Sequence, residues 1–152
     1  MNRKTTFKIF RILIILYMIA LLMITVVRPW NHDYRLFGGS LNLSLFTTYR
    51  FIIRRGAWRF IYLFFGNIVW FIPFGAYLTA CRGKSIGKAV LAGFALSLFI
   101  EVMQYELGTG ISEIDDLVLN TFGAFTGSAA GYLISRWLED KASQRRTNVD
   151  QK

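Results

Sequence analysis

Carboxylates and amides interrupt several long apolar stretches of this sequence, and these side chains have the types and positions that suit chemistry. The set comprises Asn67, Glu101, Gln104, Asp115, Asp116 and Asn120. Polar groups are costly in hydrocarbon unless they face protein or a water-filled cavity, so each is a candidate for ligand binding. Their oxygens and amide hydrogens suit the polar groups of sugars, peptides and lipid headgroups.

Four apolar runs surround these residues: 9–27, 60–80, 89–103 and 117–138. Crossing a bilayer takes about 20 residues as a helix, with a range of ~17 to 25. The first two runs meet that length directly, and the other two do so if their polar members lie near the helix ends or face protein. We read the first run as an uncleaved anchor, with a signal peptide as the alternative.

The predicted fold is therefore all-α: an integral membrane bundle of four transmembrane helices. We assign residues 1–138 to a single transmembrane domain and 139–152 to a polar C-terminal tail, frayed or disordered. The segment between the first two spans is too short and too charged to cross the bilayer. For its apolar and basic part, residues 41–55 with Arg54 and Arg55 at the end, we predict a short interfacial or re-entrant helix on the outer leaflet.

Basic residues indicate the orientation of the bundle. Twelve would lie on the side that carries both termini, and six on the other side. The excess predicts a multi-pass protein of the cell membrane with both termini in the cytoplasm. Helix ends also account for the net charge of +9, so we expect no nucleic acid partner.

Helical spacing brings the polar side chains together. Ser97, Glu101 and Gln104 follow an i, i+4, i+7 pattern and share one helical face, as do Asp116 and Asn120. In antiparallel spans, Asn67, Glu101 and Asn120 would reach the same third of the bilayer, on the outer side in the favoured orientation. We therefore predict that the last three spans form one polar chamber.

A glycine ladder continues down the face of the fourth span. It consists of Gly123, Gly127 and Gly131, at a spacing that lets another helix approach closely. This pattern places the fourth span at the centre of the bundle and also offers a contact for a partner helix.

Other interpretations of the polar residues stay open. The amides and Glu101 can hydrogen-bond one another simply to fix the helix register, and the Asp115–Asp116 pair can stabilise a helix N-terminus. Together with Glu101, that pair could also hold Mg²⁺, which prefers oxygen ligands. One cysteine and one histidine argue against a zinc site, and we assign no metal; the sequence leaves the identity of any cofactor open.

Three motifs carry a resemblance to a known family. They read G-N-x-x-x-F-x-P-x-G from Gly66, S-L-x-x-E-x-x-Q from Ser97, and D-D-x-x-x-N-x-x-G from Asp115. In this order they resemble the VanZ-like family over residues 41–133. The resemblance implies a membrane protein of the type that confers low-level resistance to teicoplanin, a lipoglycopeptide acting at the outer face of the cytoplasmic membrane. The resemblance indicates where the protein acts but does not specify a reaction.

The chain departs from the family pattern at one position. Many members carry an arginine shortly before the D-D pair, where this chain has the sequence G-T-G-I-S-E over 108–113. If that arginine binds an anion, the chain must use an arginine of the 50–59 segment instead, or lack the contact. Arg54 and Arg55 therefore join the predicted ligand-binding residues.

Three hypotheses of function follow. The first is binding of a lipid, a lipid-linked glycan or a glycopeptide antibiotic at the outer leaflet. The second is an accessory subunit that pairs with another membrane protein through the glycine ladder. The third is a metal-assisted intramembrane enzyme acting on a lipid headgroup. The sequence favours them in that order.

Overall fold

Five helices and two short strands make up the described part of the chain, which in this computed structural model is residues 3–27 and 36–150. In chain order they are α1 Arg3–Leu22, β1 Ser40–Asn42, α2 Thr47–Arg55, α3 Ala57–Ala80, α4 Ile86–Leu107, β2 Ile111–Glu113 and α5 Ile114–Asp150. A π-helical turn, Met23–Val27, continues α1.

Four of these helices are long and apolar enough to cross a membrane, which confirms the predicted bundle. The crossing segments are Lys8–Val27, Ala57–Ala80, Ile86–Leu107 and Ile114–Gln144. Within a bilayer, helices satisfy all their backbone hydrogen bonds internally, so apolar runs of this length become helical spans. The expected short helix is also present, as α2.

α4 is longer than its apolar run because its ends are set by caps rather than by hydropathy. The Ser85 hydroxyl accepts a hydrogen bond from the Lys88 amide, and Gly108 closes the helix in the left-handed conformation at φ 62°. Ser85 and Gly108 are favoured residue types at these two positions.

α5 is the central helix, and its glycine ladder packs on α3 of the same chain. A Cβ at Gly123, Gly127 or Gly131 would overlap the carbonyl oxygen of Ile68, Ile72 or Ala76, respectively. The absence of side chains therefore lets the two backbones touch, as small-residue interfaces do in membranes. The helix that approaches the ladder closely is therefore α3 of the same chain.

The two strands form a parallel pair that the sequence analysis did not predict. Ser40 pairs with Ile111 and Asn42 pairs with Glu113. Just before β1, the Phe37 amide donates to the Glu106 carbonyl at 2.8 Å, near the end of α4. The pairing joins the segment before α2 to the segment before α5 and so covers one end of the bundle.

The C-terminal tail differs from the expectation of a frayed or disordered segment. α5 continues without a break through Asp150. Residues 139–150 contain no glycine or proline, and the Lys141 ammonium lies 3.9 Å from the centre of the Trp137 ring, one helical turn away. Such i, i+4 contacts support a helix outside the apolar region.

Candidate functional site

A cavity of about 170 Å³ lies inside the end of the bundle that the strands cover. Five of the predicted polar residues line it: Asn67, Glu101, Gln104, Asp116 and Asn120. Its other polar lining residues are Thr25, Tyr49 and Glu113. The buried apolar cluster of Leu21, Val26, Phe71, Ile100 and Ala124 packs beside the cavity and contributes Leu21, Phe71 and Ile100 to its wall. The structure thus brings together the acids and amides of α3, α4 and α5.

Asp116 is the centre of a hydrogen-bonded group that joins α2, α3 and α5. Its Oδ1 accepts from the Asn67 side-chain amide and, at 3.4 Å, from the Tyr49 hydroxyl. The same Asn67 amide also approaches the Tyr49 oxygen at 3.4 Å. Asp116 lies in the first turn of α5, where the helix dipole favours negative charge.

Tyr49 is the residue through which α2 reaches the cavity. Its side chain is only 4% exposed, and its ring makes edge contacts with Phe60 and Phe64, at centroid distances of 5.9 and 5.4 Å. Burial, with the Asp116 carboxylate as a second cause, raises the pKa of Tyr49 above its ordinary value. The hydroxyl therefore remains a hydrogen-bond donor at neutral pH.

Glu101 connects α4 to the strand pair. Glu101 is only 5% exposed, and its Oε2 accepts from the Glu113 backbone amide at 2.8 Å. Glu113 in turn accepts from the Asn42 side-chain amide at 3.0 Å. Both carboxylates line the cavity, so the strands and the polar chamber are one connected structure.

The two remaining amides bind to different neighbours. The Gln104 side-chain nitrogen donates to the Thr25 carbonyl in the π-helical turn at 2.9 Å, and the Asn120 nitrogen donates to the Ser97 hydroxyl at 2.9 Å. The Gln104 Oε1 is buried and has no hydrogen-bond partner among residues 3–27 and 36–150. It is therefore an acceptor beside the cavity that a ligand can use.

Asp115 does not join the cavity. It is only 1% exposed, and its Oδ1 accepts from the backbone amide of Phe46 at 2.8 Å. Phe46 has a left-handed conformation, with φ 56°, at the turn before α2. The carboxylate of Asp115 thus fixes a turn, and our grouping of Asp115 with the chamber residues does not match this geometry.

Arg54, one of the two predicted arginines, does not line the cavity. Arg54 is exposed on α2, and the side chain of Arg55 lies outside the described part of the chain. Within that part, the cavity lining contains no arginine or lysine. An anion contact by Arg54 inside the chamber is therefore not part of this geometry.

Among the described residues, no group of three or more histidines, cysteines, aspartates or glutamates is placed to hold a metal ion. Of the suggested set of Asp115, Asp116 and Glu101, only Asp116 and Glu101 line the cavity, and the Oδ1 of Asp115 instead accepts from the Phe46 amide. The donor set of the chamber consists instead of carboxylates and amides that hydrogen-bond protein groups. That arrangement suits recognition of hydrogen-bond donors.

Sequence reasoning missed Tyr49 and Glu113 as lining residues. Glu113 lies shortly before the D-D pair, and this position is the stronger of the two sequence signals for a cavity-lining residue. Tyr49 carries a weaker signal, as a polar aromatic residue in a short amphipathic segment. Both reach the cavity through the strand pair and α2, whose placement depends on contacts distant in the sequence.

Comparison with known proteins agrees with the motifs. The sequence model of the VanZ/LLP1 family matches residues 10–136. Protein VanZ from Enterococcus faecium is 29% identical over 142 residues, which cover 88% of this chain and 80% of that protein. No solved structure matches the chain.

Proposed function

Because this chain belongs to the VanZ/LLP1 family, we propose that it binds the polar part of an amphipathic envelope molecule in its chamber and thereby contributes to glycopeptide resistance. The ligand classes are a membrane lipid, a lipid-linked glycan or a glycopeptide such as teicoplanin. One observation carries the proposal: three transmembrane helices place five acids and amides around a single cavity.

The side chains that line the chamber limit which chemical group of the ligand can bind there. Glu101, Glu113 and Asp116 supply carboxylates, and three amides supply both donors and acceptors. Oxygen acceptors of this kind favour hydroxyl and ammonium donors and disfavour a phosphate, which carries like charge. The group bound in the chamber is therefore a sugar or an amine, as found in glycans, glycopeptides and some lipid headgroups.

The proposed orientation places the chamber at the outer leaflet. The chamber lies where α3 begins, α4 ends and α5 begins, which is the end opposite the C-terminal half of α5. With twelve basic residues on the side of both termini and six on the other side, the positive-inside rule turns the chamber outward. A glycopeptide acting outside the cell can then reach it.

No observation favours the two alternative functions over binding. The glycine ladder, which would serve an accessory subunit, is filled by α3 of the same chain. Of the suggested metal set, Asp115 lies outside the cavity lining, and no group of three or more His, Cys, Asp or Glu among the described residues is placed to hold a metal ion. Binding requires only the cavity and its free acceptor, Gln104 Oε1.

Expression in a teicoplanin-susceptible bacterium tests the proposal. The unaltered chain should lower susceptibility, and Asp116→Asn or Glu101→Gln should abolish the effect by removing one charge while keeping an acceptor for the existing hydrogen bonds. Asp140→Asn is the matched control, since Asp140 is exposed on α5 and far from the chamber. Western blotting of membranes checks that all variants accumulate equally.

Two results would count against the proposal. If expression of the unaltered chain does not change susceptibility to teicoplanin, and the purified protein does not bind teicoplanin, the glycopeptide role is wrong. If the chain confers resistance but Asp116→Asn and Glu101→Gln behave like Asp140→Asn, the chamber is not the binding site.

A further inference from the structure

A second cavity, of about 490 Å³, opens between α1 and α3 at the end of the bundle opposite the polar chamber. Its lining comes from α1, from the C-terminal part of α3 and from the turn that follows α3. The polar chamber instead uses the far end of α1 and the first half of α3. The two cavities therefore belong to opposite leaflets, whichever way the protein is oriented.

Two arginines mark the mouth of this groove. Arg11 lies one turn inside the first crossing segment, and Arg82 follows the end of α3. Both line the groove, and no acidic residue of the described chain is among its lining. Two arginines in a lining that holds no carboxylate favour an anion, and guanidinium geometry matches a phosphate.

The walls of the groove are apolar along its length. Ile14, Ile15, Met18, Ile19 and Leu22 form one face of α1, and Phe74 lies opposite on α3. From Arg11 to Leu22 the helix rises roughly 16 Å, which is close to the ~15 Å depth of one hydrocarbon leaflet. The groove is thus charged at the membrane surface and apolar for the depth of a leaflet.

We propose that this groove binds one anionic phospholipid, with the phosphate between Arg11 and Arg82 and an acyl chain along α1. The charge at one end and the apolar walls match the two parts of such a lipid. This site is separate from the polar chamber, whose acidic lining disfavours phosphate.

Native mass spectrometry of the detergent-solubilised full chain, titrated with phosphatidylglycerol or phosphatidylcholine, tests the proposal. The unaltered chain should retain phosphatidylglycerol in preference to phosphatidylcholine. In Arg11→Gln/Arg82→Gln, phosphatidylglycerol binding should fall roughly a hundredfold, since each of the two lost charge-assisted contacts weakens binding about tenfold. Lys84→Gln/Lys88→Gln removes the same charge from exposed positions at the same end that do not line the groove, and should bind like the unaltered chain.

A groove-filling variant and a competitor complete the experiment. Ile15→Trp leaves the charge unchanged, and Ile15 is 48% exposed, so the larger side chain fits without disturbing the core but should reduce phosphatidylglycerol binding. Excess inorganic phosphate should not displace the lipid. Equal losses in both double variants, no loss in Arg11→Gln/Arg82→Gln, or displacement by inorganic phosphate would each overturn the proposal.

Discussion

Asp115 and Asp116 are adjacent in the sequence, yet their carboxylates serve different parts of the fold. Adjacent residues on a helix point about 100° apart, so one can face a cavity while the other faces a neighbouring loop. Asp116 accepts hydrogen bonds from Asn67 and Tyr49 in the chamber, whereas Asp115 accepts one from the Phe46 amide outside it. The D-D pair therefore combines an acid that faces the cavity with an acid that fixes a turn.

Tyr49 gives the chamber a measurable dependence on pH. Because its pKa is raised in the folded protein, the folded state holds the phenolic proton more tightly than the unfolded state does. The contribution to stability is complete below about pH 10, the ordinary pKa of tyrosine, and is lost as the pH rises further. Tyr49→Phe should therefore flatten the alkaline fall in stability.

Apparent melting temperatures in detergent, from about pH 8 to about pH 11, check this prediction. At the low end of this range, about pH 8, Tyr49→Phe should cost about 0.5–1.5 kcal/mol for the lost hydrogen bond. Tyr62→Phe, at a tyrosine of α3 that is 72% exposed, is the control and should follow the unaltered curve. Parallel curves for Tyr49→Phe and the unaltered chain would show that Tyr49 does not titrate as proposed.

At the scale of elements, α3 and α5 form the rigid frame and the other helices attach to it. Gly75 of α3 lies against the Ala124 backbone, and Gly127 of α5 lies against Ile72, so each helix contributes glycine to the interface. The same interface fixes the height of Asn67 relative to Asp116. Close backbone packing is therefore what aligns the polar groups of the chamber.

Gly127→Leu should disrupt this frame. Even a Cβ at Gly127 would overlap the Ile72 carbonyl, so the leucine must push the helices apart, at a cost of about 1–3 kcal/mol or more. Gly66→Ala is the matched control: a Cβ at Gly66 meets nothing within 4 Å, and alanine should stabilise α3 by about 0.5–1 kcal/mol.

Thermal unfolding of the purified variants measures both effects. If Gly127→Leu is as stable as the unaltered chain but loses a co-purifying membrane protein, the ladder serves an external partner instead. A stability loss without any change in partners supports the internal role.

Across the whole molecule, the elements predictable from sequence are those encoded by local pattern. The four spans follow from apolar length, and the convergence of Glu101 with Asn120 follows from helical spacing and antiparallel order. The strand pair does not follow, because the S-L-N of β1 and the I-S-E of β2 are too short for a periodic signal and meet across 71 residues. Glu113 belongs to that pairing, and Tyr49 reaches the cavity through the packing of α2 on α3, so neither position follows from a local pattern.

The orientation of the whole molecule decides which leaflet each cavity serves, and cysteine labelling of intact cells can establish it. In a Cys81→Ala background, Ser40→Cys marks the end that carries the chamber, and Lys84→Cys marks the other end; both positions are exposed. If both termini are cytoplasmic, a membrane-impermeant maleimide should label Ser40→Cys in intact cells and Lys84→Cys only after permeabilisation. The reverse pattern would leave the chamber intact but turn it toward the cytoplasm, where an external glycopeptide cannot reach it, and a cytoplasmic ligand would then be required.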